Sequence, residues 1–508
     1  MNKDDIIQIE ITDMAEDGAG IGRSEDGMAA FVHGAIYGDV VNAKITKVKK
    51  NYAFSDAIEI VTQSPFRTGL STGMPNESTA CPYIDECGGC SFGKLNYETQ
   101  LKLKEKHVRD KLERIAGLEA PVIREIIGME TAWPTEYRNK AVIAVYQDGS
   151  GNAFVGFRGR KSHKVIDCDY CMIQGKPANI ATGILREYLT KHRAGVWQMT
   201  VKTAFETREV MVILHVKGRS ELPDVEGFCY DLDEAIDSIG YSLESVVLDR
   251  EYVVKEGGRK APAKSFTKTK LEFIAGKHTI KDSLMGLDFE ISPRAFYQVN
   301  PAQTKKLYSK VLEYLGIDFE ESLCPQTDVD APDVETQGSV ILDLYCGVGT
   351  IGTLVAKNYC GQVLGIESVK EAVIDANRNA VINGIVNERF ICGKAEEVLP
   401  DLVNRDSLDP AETANLDSVE TAKLDPVEAF ILDPPRAGCD EKLLEAVAAV
   451  KPQKIVYVSC NPGTLARDLK FLGEHGYEFI EATPCDMFCH SSHVETVALM
   501  TKVDNRTR

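Results

Sequence analysis

Between Val340 and Pro462 the chain repeats one pattern: a short apolar run breaks on glycine, an acid or proline, and a stretch of helical composition follows. Val340-Ile-Leu-Asp-Leu344 runs into Tyr345-Cys-Gly-Val-Gly-Thr-Ile-Gly352, with a helix expected over Thr350–Lys357. Gln362-Val-Leu-Gly-Ile-Glu367, Ile431-Leu-Asp-Pro-Pro-Arg436 and Lys454-Ile-Val-Tyr-Val-Ser-Cys-Asn-Pro462 read the same way. Such runs suit strands buried on both faces, so the pattern implies α/β architecture with a parallel, doubly wound sheet from about residue 291 onward. Open sheets of this kind bind ligands beyond the carboxyl ends of their strands. Asp433 and Cys460 fall at such ends. By itself, Cys460 would be read as a small buried hydrophobe.

Ahead of this region the pattern differs. Residues 1–62 carry short apolar runs (Ile7–Ile11, Ala29–Val32, Asp39–Val48, Ser55–Val61) separated by glycines at Gly18–Gly22 and Gly34–Gly38, as in a small β-barrel. Lys44, Lys47, Lys49 and Lys50 bunch near Tyr52 and Phe54, a mixture that suits RNA backbone and base stacking as well as a guarded strand edge. Leu95–Gly117 reads as a helix. Residues 120–290 alternate strands (Ala141–Tyr146, Val210–Val216, Ser245–Asp249) with polar turns, which suggests a mostly antiparallel α+β middle domain. Three domains are therefore expected: 1–62, 63–290 and 291–508.

The net charge of −19 argues against a nucleic-acid partner only until it is located. Segment 318–337 holds seven acids and no Lys or Arg, and segment 406–428 holds seven against Lys423, which leaves the rest near −6. The second contains an acidic octamer repeat starting at Leu408, Leu416 and Leu424, expected to be a surface insertion near 404–428. No secretory signal or membrane-length apolar run is visible, so the expectation is a cytoplasmic chain with no membrane partner, acting as a monomer.

Gly347-Val-Gly-Thr-Ile-Gly352 fits a dinucleotide fingerprint, and Glu367 follows at a distance suited to ribose hydroxyls, so the glycines alone do not exclude NAD. Asp343 tips the reading. Asp-x-x-x-Gly-x-Gly resembles motif I of class I S-adenosylmethionine methyltransferases, and Asp433-Pro-Pro-Arg436 matches their motif IV position.

A cysteine makes sense there for one methyl acceptor in particular. A pyrimidine C5 is too weak a nucleophile to attack a sulfonium methyl unaided; a thiolate adding to C6 turns C5 into an enolate carbon, and a base must later remove the C5 proton. The carboxylate candidate is Glu495 in His493-Val-Glu-Thr-Val-Ala-Leu-Met500, an apolar run expected to be an edge or final strand. Ser459-Cys-Asn-Pro-Gly-Thr-Leu-Ala-Arg-Asp468, Asp433-Pro-Pro-Arg-Ala-Gly438, His493-Val-Glu-Thr-Val497 and Pro293-Arg-Ala-Phe-Tyr-Gln-Val-Asn300 together resemble the RNA uracil-5-methyltransferase family. The resemblance implies Cys460 as nucleophile and Glu495 as proton acceptor. It also implies S-adenosyl-L-methionine contacts from Gln298, Tyr345, Gly347, Glu367 and Asp433, and Phe296 packing on the target base. Residues 1–62 resemble a TRAM domain, a module at the front of ribosomal-RNA members, so the implied substrate is a uridine of 23S ribosomal RNA, with tRNA as the alternative. An amino methyltransferase or a non-catalytic RNA-binding factor would have no use for both Cys460 and Glu495.

Cys81-Pro-Tyr-Ile-Asp-Glu-Cys87-Gly-Gly-Cys90 has the spacing of a metal loop, and Cys168 and Cys171 both qualify as a fourth thiolate. Cys171-Met-Ile resembles the family better. The resemblance implies a [4Fe–4S] cluster on Cys81, Cys87, Cys90 and Cys171, with zinc as the alternative. Near it, Tyr137–Lys140, Gly156–Arg158, Arg160, Lys161 and Lys164 are expected to form an RNA face.

Overall fold

The computed structural model describes residues 1–68, 81–160, 162–256, 264–319, 339–403 and 426–503. Lys161 and most of both acidic segments (320–337 and 404–425) lie outside them. The chain divides into two compact units. The first comprises 1–104, 129–280 and 488–493; the second comprises 105–128, 281–487 and 494–508. No helix among the described residues is long and apolar enough to cross a membrane.

In the first unit, β1 (Ile6–Met14), β2 (Gly20–Arg23), β3 (Ala29–His33), β4 (Val40–Val48) and β5 (Tyr52–Thr62) close into a barrel in the order β1-β2-β3-β5-β4. Alternate residues (Ile9, Ile11, Val32, Val41, Ala43) fill it, and Phe92 and Leu95 extend its core. β2 occupies a stretch that reads as a glycine turn. A Cβ on Gly22 would meet the Glu10 carbonyl oxygen at 2.3 Å, so the glycine allows β1 and β2 to approach. After α1 (Tyr97–Lys111), which extends through one π turn (Leu112–Ala116), come β6 (Lys140–Gln147), β7 (Ala153–Arg158), β8 (Val165–Asp167), α2 (Lys176–Lys191), β9 (Val196–Thr203), β10 (Glu209–Lys217), α3 (Val225–Asp237), β11 (Ser242–Glu256) and β12 (Lys264–Gly276). These strands form one sheet, ordered β12-β11-β10-β9-β6-β7-β8 and antiparallel except at β10/β11. Leu185 and Leu189 of α2 and Phe228 and Leu232 of α3 bury one of its faces.

The short segment 488–493 is bound into this unit. His490, fully buried at φ 66°, donates its backbone N–H to Gln100 Oε1 (2.9 Å), and Tyr137 donates its hydroxyl to the Cys489 carbonyl (2.9 Å).

The second unit opens with the hairpin β13 (Ile280–Leu284)–β14 (Leu287–Ile291) and α4 (Pro301–Leu315), whose first turn Asn300 caps through its side chain. There follow β15 (Val340–Leu344), α5 (Thr350–Asn358), β16 (Gln362–Glu367), α6 (Lys370–Ile382), β17 (Glu388–Cys392), α7 (Ala395–Val403), β18 (Val427–Leu432), α8 (Glu441–Val450), β19 (Lys454–Ser459), α9 (Pro462–Glu474), β20 (Tyr477–Cys485) and β21 (Glu495–Lys502). The sheet order is β17-β16-β15-β18-β19-β21-β20, parallel from β17 to β19, with β21 antiparallel to both neighbours. β21 is the last strand in the chain yet lies inside the sheet, not at its edge. Every residue of β15 is buried, as a central strand covered on both faces requires. The third copy of the octamer repeat ends inside β18, where Val427 and Ala429 are buried. Beyond β20 the stretch around Val122–Ile127 adds a further pairing, with Ile127 N–H donating to Pro484 O and Asp486 N–H to Ile127 O, both at 2.9 Å.

Candidate active site

The strand order reverses between β15 and β18, and that reversal opens the crevice in which doubly wound sheets bind ligands. Four expected site residues stand at its strand ends. Gly347 lies in the turn after β15, Glu367 ends β16, Asp433 follows β18, and Cys460 follows β19.

The β15 turn begins with Tyr345 at φ 65°, a left-handed conformation that a non-glycine residue adopts only under constraint. Gly347 N–H donates to Glu367 Oε2 at 3.1 Å, and Val369 N–H donates to Oε1 at 2.7 Å, so Glu367 is fixed beside the turn. A Cβ on Gly347 would meet nothing within 4 Å: the turn faces open space. Asp343, buried within β15, accepts from Gly352 N–H at 2.9 Å and braces the start of α5. Burial, then the charge of Asp433, pushes its carboxyl up to about 8. Gln298 is buried on the stretch leading into α4, and Phe296 on the same stretch is 60% exposed.

The register of β19 and β21 decides the rest. Ser459 pairs with Thr496 in the last pair of the ladder, so Cys460 and Glu495 adjoin the same end of it, and Glu495 itself pairs with Cys485 of β20. Burial raises the thiol of Cys460 to about 11; the charge of Glu495 adds to this, Arg436 opposes it, and Asp433 adds again. Glu495 is 4% exposed, and burial followed by the Asp433 charge pushes it up to about 8, with Arg436 working the other way. Asp433 itself is raised to about 7 by burial. The charge of Arg436 thus favours the ionised form of both the Cys460 thiol and the Glu495 carboxyl.

In the sequence Arg436 only closes the Asp-Pro-Pro-Arg motif, and nothing there marks its charge as acting on Cys460. Tyr308 of α4 carries no sequence signal either. Its hydroxyl lies 3.1 Å from Thr350 Oγ1, and burial, then the charges of Asp433, Asp343 and Glu495, raise it, so α4 faces this site.

In the first unit, burial and then the charges of Cys171, Cys87 and Cys81 raise the Cys90 thiol. Burial pushes Cys171 up to about 11 and Cys168 up to about 12; Cys168 also donates to the Tyr170 carbonyl at 3.2 Å. Among the described residues, no group of three or more His, Cys, Asp or Glu side chains is gathered closely enough to hold a metal ion. The cysteine loop is joined to the end of β7 by Gly88 N–H to Arg158 O and Arg160 N–H to Glu86 O, both at 3.2 Å. Arg158, Arg160, Phe157, Gly88, Gly89 and His493 are among the residues lining a cleft of about 460 Å³. Tyr137 and Asn139, expected on an RNA face, are buried. On the barrel, Phe31, Tyr52 and Phe54 form a cluster with ring centroids 5.5–5.7 Å apart, and Lys44, Lys47, Lys49 and Lys50 are exposed.

Residues 329–503 match the family described as tRNA (Uracil-5-)-methyltransferase, and residues 5–58 match the TRAM domain. An uncharacterized RNA methyltransferase of Caldanaerobacter subterraneus subsp. tengcongensis is 37% identical over 506 residues, 98% of each chain. One from Halalkalibacterium halodurans is 34% identical over 516 residues, again 98% of each. Among solved structures, the Pyrococcus abyssi tRNA (uracil-54, C5)-methyltransferase in complex with S-adenosyl-L-homocysteine aligns with a TM-score of 0.65 at 27% identity, covering 97% of this chain and 100% of that one. By these matches, this chain belongs to the S-adenosylmethionine-dependent RNA uracil-5-methyltransferase family.

Proposed function

We propose that this enzyme methylates C5 of a uridine in 23S ribosomal RNA through a covalent adduct on Cys460. The observation that carries the reading is that Cys460 and Glu495 adjoin the same end of the β19/β21 ladder, where the charges of Glu495 and Arg436 both act on the thiol. Cys460 adds through its thiolate to C6 of uracil, and the electron pair of the C5–C6 double bond moves onto C5 and O4 as an enolate. S-adenosylmethionine, when bound, supplies the methyl group that C5 takes. Glu495 then removes the C5 proton, the Sγ–C6 bond breaks, and the thiolate is restored. Arg436 stabilises the thiolate before addition and after release. The open turn at Gly347, the fixed carboxylate of Glu367, Asp433, Tyr345 and buried Gln298 are the proposed cofactor contacts; Glu367 keeps lone pairs for ribose hydroxyls. Phe296, exposed, is the proposed stacking partner of the target base, which must leave the RNA stack to meet the thiol.

Residues 1–62, 63–290 and 291–508 are the proposed functional divisions, with 105–128 contributed to the last. Cys81, Cys87, Cys90 and Cys171 are proposed to hold a [4Fe–4S] cluster, or zinc in its place. Cys171 is favoured over Cys168 because it leads the thiols that raise Cys90. Several partly buried thiols whose charges act on one another suit a bound cation, and binding would draw them inward. The barrel lysines and aromatics, with Arg158 and Arg160 at the cleft, are the proposed RNA contacts. The TRAM match supports ribosomal RNA. A tRNA substrate is the second reading, favoured by the Pyrococcus abyssi protein's described activity.

Incubation with S-adenosylmethionine and 5-fluorouridine-containing RNA tests the mechanism, because fluorine at C5 blocks the final proton removal. A denaturation-resistant adduct is expected with ribosomal RNA and is lost in Cys460→Ala. Its absence with both ribosomal RNA and tRNA would sink the reading, and an adduct with tRNA alone selects the second substrate.

A further inference from the structure

We propose that Asn461 is a positioning residue that holds the Arg436 loop beside Cys460, through a contact separable from its role in starting α9. The proposal rests on the reading of Cys460 as nucleophile and extends it to the loop that carries the cation. Arg436 lies on an exposed loop after β18, and its charge favours the Cys460 thiolate. A loop places a charge reproducibly only when its own backbone is fixed. Here the backbone is fixed. The Arg436 carbonyl accepts from Asn461 Nδ2 at 3.1 Å and from Thr464 Oγ1 at 3.3 Å. Arg467 Nη2 donates to Ala437 O and Cys439 O, both at 3.1 Å. Asp468, fully buried, anchors the clamp by accepting from Cys439 N–H (2.8 Å), Tyr457 Oη (2.6 Å) and Arg467 Nε (2.7 Å).

Asn461 alone among these residues adjoins the nucleophile, so it ties the cation's backbone directly to the thiol's. Its two polar atoms do different work. Oδ1 accepts from Gly463 N–H at 3.0 Å and caps α9, while Nδ2 holds Arg436. Serine caps a helix about as well as asparagine, is equally uncharged, and is too short to reach the Arg436 carbonyl.

The test is the rate at which iodoacetamide alkylates Cys460 in the full-length protein, followed by peptide mass spectrometry from about pH 7 to 10. Because alkylation tracks the thiolate fraction, Asn461→Ser is expected to slow it roughly three- to tenfold at a given pH below the midpoint and to move the profile to higher pH. Melting temperature and S-adenosylhomocysteine affinity should stay at wild-type values. Arg436→Ala should move the profile the same way, and adding Asn461→Ser to it should move it no further. Superimposable profiles for wild type and Asn461→Ser, or additive shifts in the double variant, would overturn the proposal. If Asn461→Ser does not fold, Thr464→Val removes the other donor to Arg436 O: a shift supports the clamp and its absence refutes it. No RNA enters this assay, so failure of the uridine reading would show in the fluorouridine experiment and not here.

Discussion

In the proposed mechanism Glu495 takes the C5 proton only when ionised, and burial with the Asp433 charge keeps it neutral up to about pH 8. Below that pH its ionised fraction falls about tenfold per unit. Turnover limited by proton removal should therefore climb from about pH 6 and level off above about 8, and in Glu495→Gln a methylated RNA–protein adduct should accumulate on denaturing gels. The same shift acts on stability with a definite sign. Between the ordinary carboxyl value of 4.5 and about 8, the folded protein keeps a proton that the unfolded chain has released. Glu495 thus withdraws stability as pH rises through that window, and melting curves of Glu495→Gln should lose that part of the pH slope. At this scale much was legible. Cys460, Glu495 and Asp433 announce themselves because uracil chemistry demands a thiol, a base and a strand end for each. Arg436 was not legible, since a guanidinium in a proline loop has no periodicity to say which way it turns.

Elements were legible wherever a run was uniformly apolar. Gln362–Glu367 is a strand at the same residues in both readings, because every position must be tolerable in a sheet covered on both faces. β2 was not legible, as glycines signal turns more often than strands. Its glycines serve close approach instead. Gly22→Ala would push a methyl into the Glu10 carbonyl oxygen and part β1 from β2, at a cost of about 2 kcal/mol or more; chemical denaturation of the full chain, followed by the barrel's Tyr52 environment, measures it. The interior place of β21 was likewise hidden, because sheet order depends on pairings made far along the sequence. That place matters, since pairing with β19 on one side and β20 on the other fixes the strand that carries Glu495.

For the whole molecule, the cysteine loop and the methyl-transfer site belong to different compact units, so their losses should separate. Cys87→Ser is expected to weaken RNA binding by about tenfold or more in filter assays, while calorimetry finds S-adenosylhomocysteine binding unchanged; equal loss of both would mean the cysteine loop supports the fold at large. The interleaving of the chain between the two units could not be read from composition. Residues near Val122–Ile127 belong to a sheet whose other strands all come after residue 339, and no local signal marks them as its members. Arg124 and Glu481, ion-paired across that added edge, are 357 residues apart. At about 5–20 residues per second, a ribosome leaves Arg124 waiting roughly 20 to 70 s for its partner. The methyl-transfer sheet therefore cannot close its outer edge until synthesis is nearly over, and the segment that completes it must remain unpaired, or be kept from pairing wrongly, for most of the nascent chain's life.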